Sequence, residues 1–387
     1  MMPVFKQRIQ EALSLREAQG LTRSPVVLER VKEQVIASNQ GQAINFSSND
    51  YLGLASSKEL ADAWQQGIRL YGCGSGASPL VTGFSPAHAR LTDQLCEWLG
   101  FEGAVLFNSG FSANQAVLLT LLEKDDVVLQ DKLNHASLIE AGMLSTATVR
   151  RFKHNDLGHL QRLLPEKEDT LVVTEGVFSM DGDAAPLAQM MQQTKDRAWL
   201  MVDDAHGLGV WGPDGRGSCA RAGISPDILV VTFGKGAGIS GAAVLASHVV
   251  TEYLLQFARH YVYSTAMPAA QAYALSHSLT MLQTQSWRRE HLAELNQAYC
   301  EATSHLPGYV ATETPIKPFI VGDNIQAMEW SHSLKEKGFW TTAIRPPTVP
   351  KGSARLRITL NASHTTEQVF ALGRVLESLY EEALNDE

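Results

Sequence analysis

An α/β fold with a largely parallel sheet is the class this sequence predicts. Short apolar runs alternate with helix-compatible stretches up to about residue 246, which is how strands and crossover helices interleave in such sheets. The pattern then changes after Met267-Pro268, where a long segment without glycine or proline runs to His305. That change marks a large domain followed by a smaller α/β C-terminal one.

The strands are expected at Ala104–Asn108, Val127–Gln130, Thr148–Phe152, Thr170–Glu175, Trp199–Asp203, Ile228–Phe233 and Ala242–Ala246, with helices between them such as Ser112–Leu122 and Leu187–Lys195. The segment from Pro268 to His305 reads as one long helix, stopped by Leu306-Pro307-Gly308. Two further strands are expected at Ile316–Val321 and Ala354–Leu360. Val369, Leu372, Leu376 and Leu379 stand at helical spacing and predict a closing amphipathic helix. The division is therefore an N-terminal arm over 1–45, a large domain over 46–267, and an interdomain helix with a small domain over 268–387.

Composition narrows the function. Of the 387 residues, 44% are hydrophobic and 19% charged, enough apolar material for a sizeable core. The net charge of −9 argues against a nucleic-acid partner, since phosphate contacts need a basic surface. The N-terminal stretch lacks a basic region followed by an apolar one, so no leader is expected, and no apolar run is long enough to span a bilayer. Cys73, Cys96, Cys219 and Cys300 are scattered without a C-x-x-C pair. They predict reduced thiols in a cytoplasmic protein, not disulfides or a metal site.

Chemistry concentrates where the apolar runs end. Ligands of open parallel sheets bind beyond the carboxyl ends of the strands. There the sequence places Asn108-Ser109-Gly110-Phe111, Asn134-His135-Ala136-Ser137, Thr174-Glu175-Gly176 with Ser179-Met180-Asp181, Asp203-Asp204-Ala205-His206, and Gly234-Lys235-Gly236. These are the groups a pyridoxal phosphate enzyme needs. A lysine amine forms a Schiff base with the cofactor aldehyde, and desolvation at a strand end keeps part of it neutral. An aspartate pairs with the pyridinium nitrogen. A helix N-terminus behind Ser109, Gly110 and Phe111 suits the phosphate. Glycines on both sides of Lys235 let a flat ring approach the backbone.

Each piece has a plainer explanation. Lys235 alone is a solvated strand-end lysine, Asp203-Asp204 a helix-capping pair, Asn108-Ser109 a simple cap, and His135 and His206 hydrogen-bonded core histidines. Gly72-Cys73-Gly74-Ser75-Gly76 lacks the dinucleotide spacing and a preceding strand, Gly234-Lys235-Gly236 is no P-loop, and no G-x-S-x-G is present. The plain explanations weaken only when the pieces are taken together and in order.

In that order, T-E-G-V-F-S-M-D-G-D, V-D-D-A-H-G and T-F-G-K resemble the α-oxoamine synthases, a group of fold-type I (aspartate aminotransferase-like) pyridoxal phosphate enzymes. N-F-S-S-N-D-Y-L-G-L at 45–54, G-S-G-A-S at 74–78, S-G-F-S-A-N at 109–114, N-H-A-S at 134–137, Y-S-T-A-M-P at 263–268 and R-P-P-T-V-P-K-G-S-A-R-L-R at 345–357 extend the resemblance from about Arg23 to the last helix. Pro79 departs from it, because several relatives carry arginine after the glycine-rich loop.

The resemblance implies roles. Lys235 holds the cofactor and, once freed, acts as the base at the amino-acid α-carbon. Asp203 pairs with the pyridinium nitrogen, His206 bonds the ring phenolic oxygen, and His135 stacks on the ring. Gly110, Phe111 and Thr232 take the phosphate, joined by Ser264 and Thr265 from a second subunit of a homodimer. Ser179 and Asn49 line the pocket, and Arg357 clamps the amino-acid carboxylate. The I-R-P-P-T-V-P stretch, which includes Thr348, points to the member that joins L-alanine to a pimeloyl thioester in biotin biosynthesis. Arg23 and Arg345 are then available to the distal carboxylate. The acyl carrier is coenzyme A or acyl carrier protein. Another family member using glycine or serine is the competing expectation within enzymes. A regulator would need an output module, for which no segment before Asn45 is suited, and a structural relative would have lost Lys235 or Asp203.

Overall fold

The computed structural model describes residues 4–19, 21–39 and 41–385; the first three residues of the stretch read for a leader lie outside them. A helix, Val4–Ala18, precedes three antiparallel strands, β1 (Glu29–Lys32), β2 (Val35–Ser38) and β3 (Gly41–Asn45). The central sheet follows: β4 (Gly103–Phe107), β5 (Val127–Asp131), β6 (Thr148–Phe152), β7 (Thr170–Glu175), β8 (Trp199–Asp203), β9 (Ile228–Thr232) and β10 (Ala242–Ala246). All seven apolar runs are strands, with ends moved by a residue at most. Their order across the sheet is β4-β10-β9-β8-β7-β5-β6.

Burial explains the unbroken apolar runs. Val105, Phe107, Val128, Leu171, Val173, Met201, Val230 and Val244 pack in one core, while Leu106, Leu129, Val172, Leu200, Val202, Leu229, Val231 and Leu245 pack in another. Successive side chains point to opposite faces, and helices cover both, so neither set of positions tolerates polar residues. The chain reverses its direction of travel across the sheet at β5, which lies between β6 and β7. Such a switch point opens a crevice at the strand ends.

β10 is the exception to the parallel pattern, pairing antiparallel with both β4 and β9. The nine residues Phe233 to Gly241 that join β9 to β10 thus form a hairpin loop, and they carry Lys235. Phe233 N–H donates to Gly241 O, and Ile239 N–H to Phe233 O, each at 2.9 Å.

The segment expected as a single helix after Pro268 is two, Ala269–Thr284 and Trp287–Thr303. Gln285 leaves helical geometry at φ −98°, ψ 59°, and Arg289 Nη1 donates to Leu282 O at 2.6 Å across the break. No glycine or proline marks this turn, which is why composition misses it. Beyond it, β11 (Ile316–Gly322), β13 (Thr342–Ile344) and β14 (Ala354–Thr359) make an antiparallel sheet in the order β11-β14-β13. β12 (Phe339–Trp340) instead pairs parallel with β3, and Thr359 N–H donates to Phe46 O at 2.8 Å. The N-terminal strands thereby join the C-terminal ones. Val369, Leu372, Leu376 and Leu379 are all buried on the last helix, Thr366–Asn385. Among the described residues no helix is long and apolar enough to cross a membrane.

Candidate active site

Two adjoining cavities, each about 280 Å³, open at the carboxyl ends of the central strands. Asn49, His135, His206 and Lys235 belong to the walls of both. Gly110, Phe111, Asp203 and Thr232 complete the first, and Ser179 and Arg357 the second. A larger hollow of about 840 Å³ lies at the opposite edge, where β7 and β8 begin at Thr170 and Trp199. Its position at the strand starts argues against it as the site.

Lys235 Nζ lies 3.4 Å from Thr232 Oγ1. Burial pushes its pKa down, the carboxylates of Asp203 and Glu175 push it back up, and Arg357 lowers it further; the net direction is down. A neutral amine is therefore easier to reach here than on the surface.

Asp203, at the end of β8, accepts from Asn114 Nδ2 at 2.7 Å and from Ala205 N–H at 3.0 Å. Asn114 Nδ2 also donates to Ser137 Oγ at 2.9 Å, and Ser137 Oγ lies 2.8 Å from His135 Nδ1. One buried amide thus ties Asp203 to His135. His135 Nδ1 also accepts from Ser137 N–H at 3.3 Å, so His135 caps the helix Ala136–Leu144 while its ring faces the cavity. Burial lowers its pKa, opposed by Asp203 and aided by Lys235.

Burial likewise holds His206 well below the usual histidine range, with Lys235, Arg357 and His135 adding to the effect. Its Nδ1 lies 2.6 Å from Tyr51 Oη. Glu175, fully enclosed at the end of β7, is pushed well above the carboxylate range by burial and then by Asp203.

The helix Gly110–Leu121 begins at the cavity. Ser109 Oγ accepts from Ser112 N–H at 3.1 Å, so the plain cap explanation holds for Ser109. Helix geometry leaves the Gly110 and Phe111 N–H groups without an intrahelical carbonyl, and these make an anion seat. A Cβ on Gly110 would sit 2.5 Å from Thr232 Cγ2, so glycine is required for that approach.

Arg357, on β14, is buried. Its Nε donates to Ser179 O at 2.7 Å and its Nη1 to Asn49 Oδ1 at 3.0 Å. Arg355, two residues away on the same face, pairs with Asp181 at 2.6 Å.

Five expected residues stand outside both cavity walls in this single chain. Ser264 and Thr265 line a small separate hollow beside Asn108, whose Nδ2 donates to Thr265 O at 2.9 Å. Arg345 is half-buried with Nη1 2.7 Å from Met328 Sδ, Thr348 is exposed one turn on, and Arg23 is exposed in the N-terminal arm. Tyr51 and Asn114 were not singled out from the sequence, and Glu175 was named there only as part of the strand end after Val173, without a role. Tyr51 and Asn114 fall inside motifs quoted for the resemblance, but nothing in their spacing tells which partner they meet.

Comparison with known proteins adds to this geometry. The profile of the family described as aminotransferase class I and II matches residues 41–376. An 8-amino-7-oxononanoate synthase of Vibrio cholerae is 61% identical over 377 residues, covering 97% of this chain and 98% of that protein. One from Aliivibrio fischeri is 60% identical over 382 residues, covering 98% and 100%. Among solved structures, Sphingomonas wittichii serine palmitoyltransferase superposes with a TM-score of 0.90 at 30% identity, covering 99% of this chain and 98% of that one. The 8-amino-7-oxononanoate synthase of Francisella tularensis gives 0.79 at 31%, covering 89% and 98%.

Proposed function

From a chain that belongs to the class I and II aminotransferase family, and within it to the 8-amino-7-oxononanoate synthases, we propose this reaction: L-alanine and a pimeloyl thioester give 8-amino-7-oxononanoate, carbon dioxide and the free thiol. The observation that carries it is the shared wall of the two cavities, where the Lys235 amine lies between Asp203 on one side and Arg357 on the other. Pyridoxal 5'-phosphate is the cofactor of this family. The residues fit it: a desolvated amine, a carboxylate fixed by two donors, a helix N-terminus with unused N–H groups, and a glycine where a side chain would collide.

When bound, the cofactor supplies an electron sink for the carbon that is deprotonated and then acylated. Lys235 takes the proton from alanine Cα and later returns one. Asp203, oriented by Asn114 and Ala205 N–H, would hold positive charge on the ring nitrogen. His206 would donate to the phenolic oxygen, and His135 would lie against the ring face. Gly110, Phe111 and Thr232 would hold the phosphate. Arg357 with Asn49 orients the alanine carboxylate so that the Cα–H bond faces Lys235. Arg23, Arg345 and Thr348 meet the far carboxylate of the acyl chain, delivered by coenzyme A or acyl carrier protein.

The site is completed in this proposal by a second copy of the chain, in the cytoplasm. Ser264 and Thr265 follow exposed Tyr263 and share a hollow with exposed Phe84, apolar groups suited to a homodimer contact. The test is the visible absorbance of the purified protein, followed as alanine, glycine and serine are added separately. Tightest response to L-alanine is expected. Preference for glycine or serine would overturn the substrate, and a protein that stays colourless with added cofactor would overturn the mechanism.

A further inference from the structure

The segment after β7 leaves the sheet as a hairpin. Val177 pairs antiparallel with Ala184, Phe178 N–H donates to Asp183 O at 2.9 Å, and Gly182 N–H donates to Phe178 O at 2.8 Å. Its tip crosses to the C-terminal sheet. There Ser179 O accepts from Arg357, Asp181 pairs with Arg355, and Gly182 O accepts from Thr314 Oγ1 at 2.8 Å. Gly182 has φ +67°, and a Cβ would lie 2.4 Å from Ile316 O, so the crossing is tight.

The base of the hairpin is tied in the opposite direction. His154, just past β6, places Nε2 2.7 Å from Asp183 Oδ2 and Nδ1 3.0 Å from Asp131 Oδ1 at the end of β5. Its ring stands edge-on to Phe178 at 4.4 Å. Asn155 Nδ2 donates to Asp183 Oδ2 at 2.9 Å and to Ala184 O at 3.1 Å, and its N–H donates to Asp131 Oδ2 at 2.9 Å. Burial pushes the His154 pKa down. The bonds and charges of Asp131 and Asp183 outweigh it and hold the imidazolium with a pKa near 10, raised to about 10. The clamp therefore keeps its charge-assisted bonds throughout the neutral range.

Arg357 is anchored at two points, and one of them is the carbonyl of Ser179 on this hairpin. We propose that His154 and Asp183 are positioning residues for Arg357: by fixing the hairpin between Asp131 and β14, they set the carbonyl against which the guanidinium is oriented. The proposal rests on the reading of Arg357 as the grip on the amino-acid carboxylate.

The test uses the full-length holoenzyme with His154→Gln, Asp183→Asn and, separately, Arg357→Lys. The first two are expected to raise KM for alanine about tenfold while kcat and KM for the thioester stay within about twofold. Hydrogen exchange at the Phe178 and Gly182 amides is expected to quicken in both. Faster exchange with unchanged KM would overturn the proposal, and so would unchanged exchange. A joint fall of kcat, cofactor content and melting temperature would also overturn it, leaving only scaffolding. If His154→Gln does not fold, Asp183→Asn, which keeps an acceptor for Asn155, decides alone. Arg357→Lys separates the two levels. Raised KM there with no effect of the clamp variants sinks the clamp alone; unchanged KM there sinks the role of Arg357 and the clamp with it.

Discussion

Tyr51 Oη and His206 Nδ1 lie 2.6 Å apart in a buried pair, though they stand 155 positions apart along the chain. Burial pushes Tyr51 up to about 12 and His206 well down, so both are neutral at pH 7. The phenol has one proton to give. His206 Nδ1 at 2.6 Å is much closer than Asn49 Oδ1 at 3.4 Å, so the proton goes to His206 Nδ1. This network assigns the histidine proton to Nε2, where it is available to a ring oxygen in the cavity. Tyr51→Phe is expected to let the Nδ1–H tautomer appear in nitrogen NMR of His206. It should also cost about 1–3 kcal/mol in urea unfolding, because a buried acceptor loses its donor. An unchanged tautomer would show that Tyr51 does not set it.

Lys235→Ala is expected to lower turnover by more than about 10³-fold with the fold intact, since both attachment and proton transfer are lost. The same substitution carries a stability signature. The folded pKa of Lys235 is depressed, so the unfolded chain binds more protons between that value and the ordinary lysine range, and stability rises with pH there. Removing the amine should make the cofactor-free protein more stable at pH 7 and flatten that rise. Urea titrations at pH 7 and pH 10 measure both. A variant turning over at near-normal rate would remove the attachment role.

Asp203→Asn keeps the shape but replaces an acceptor with a group that presents N–H toward either Asn114 or the ring. A fall in kcat of about 10²–10³-fold is expected, with the visible band of the bound cofactor shifted in wavelength. Unchanged kinetics would exclude the ring-nitrogen pairing.

Asp204 gives a pH prediction away from the chemistry. Burial raises its pKa from 3.8 to about 6; Ser218 N–H at 2.7 Å and the Ser218 hydroxyl lower it, and Asp203 raises it. The folded state therefore binds the extra proton. The contribution is fully present below about pH 4 and is lost as pH rises through 6, on the order of 3 kcal/mol. Asp204→Asn should remove this slope between pH 4 and pH 7 in urea midpoints. A slope as steep as in the unsubstituted protein would assign it to another group.

Asp203, His135 and Lys235 were legible in the sequence because each follows an apolar run, and a run buried on both faces ends where the sheet ends. Arg357 came only through a resemblance, since alternation along β14 alone does not separate it from Arg355, on the same face. Tyr51 and Asn114 were hidden for another reason. Their partners are set by tertiary approach, and a tyrosine near residue 50 has no local pattern that points to a histidine near 206. The antiparallel course of β10 was hidden as well, because a strand buried on both faces reads the same in either direction.

That antiparallel course fixes how the active amine is mounted. The loop bearing Lys235 is a short bridge whose two piers, β9 and β10, are bonded to each other along their whole length. A crossover helix could shift and carry the lysine with it; a bridge between paired piers holds its roadway still. The distance the amine covers during a cycle then falls first to rotation about the bonds of its own four methylenes, since the strands that carry its loop are bonded to each other.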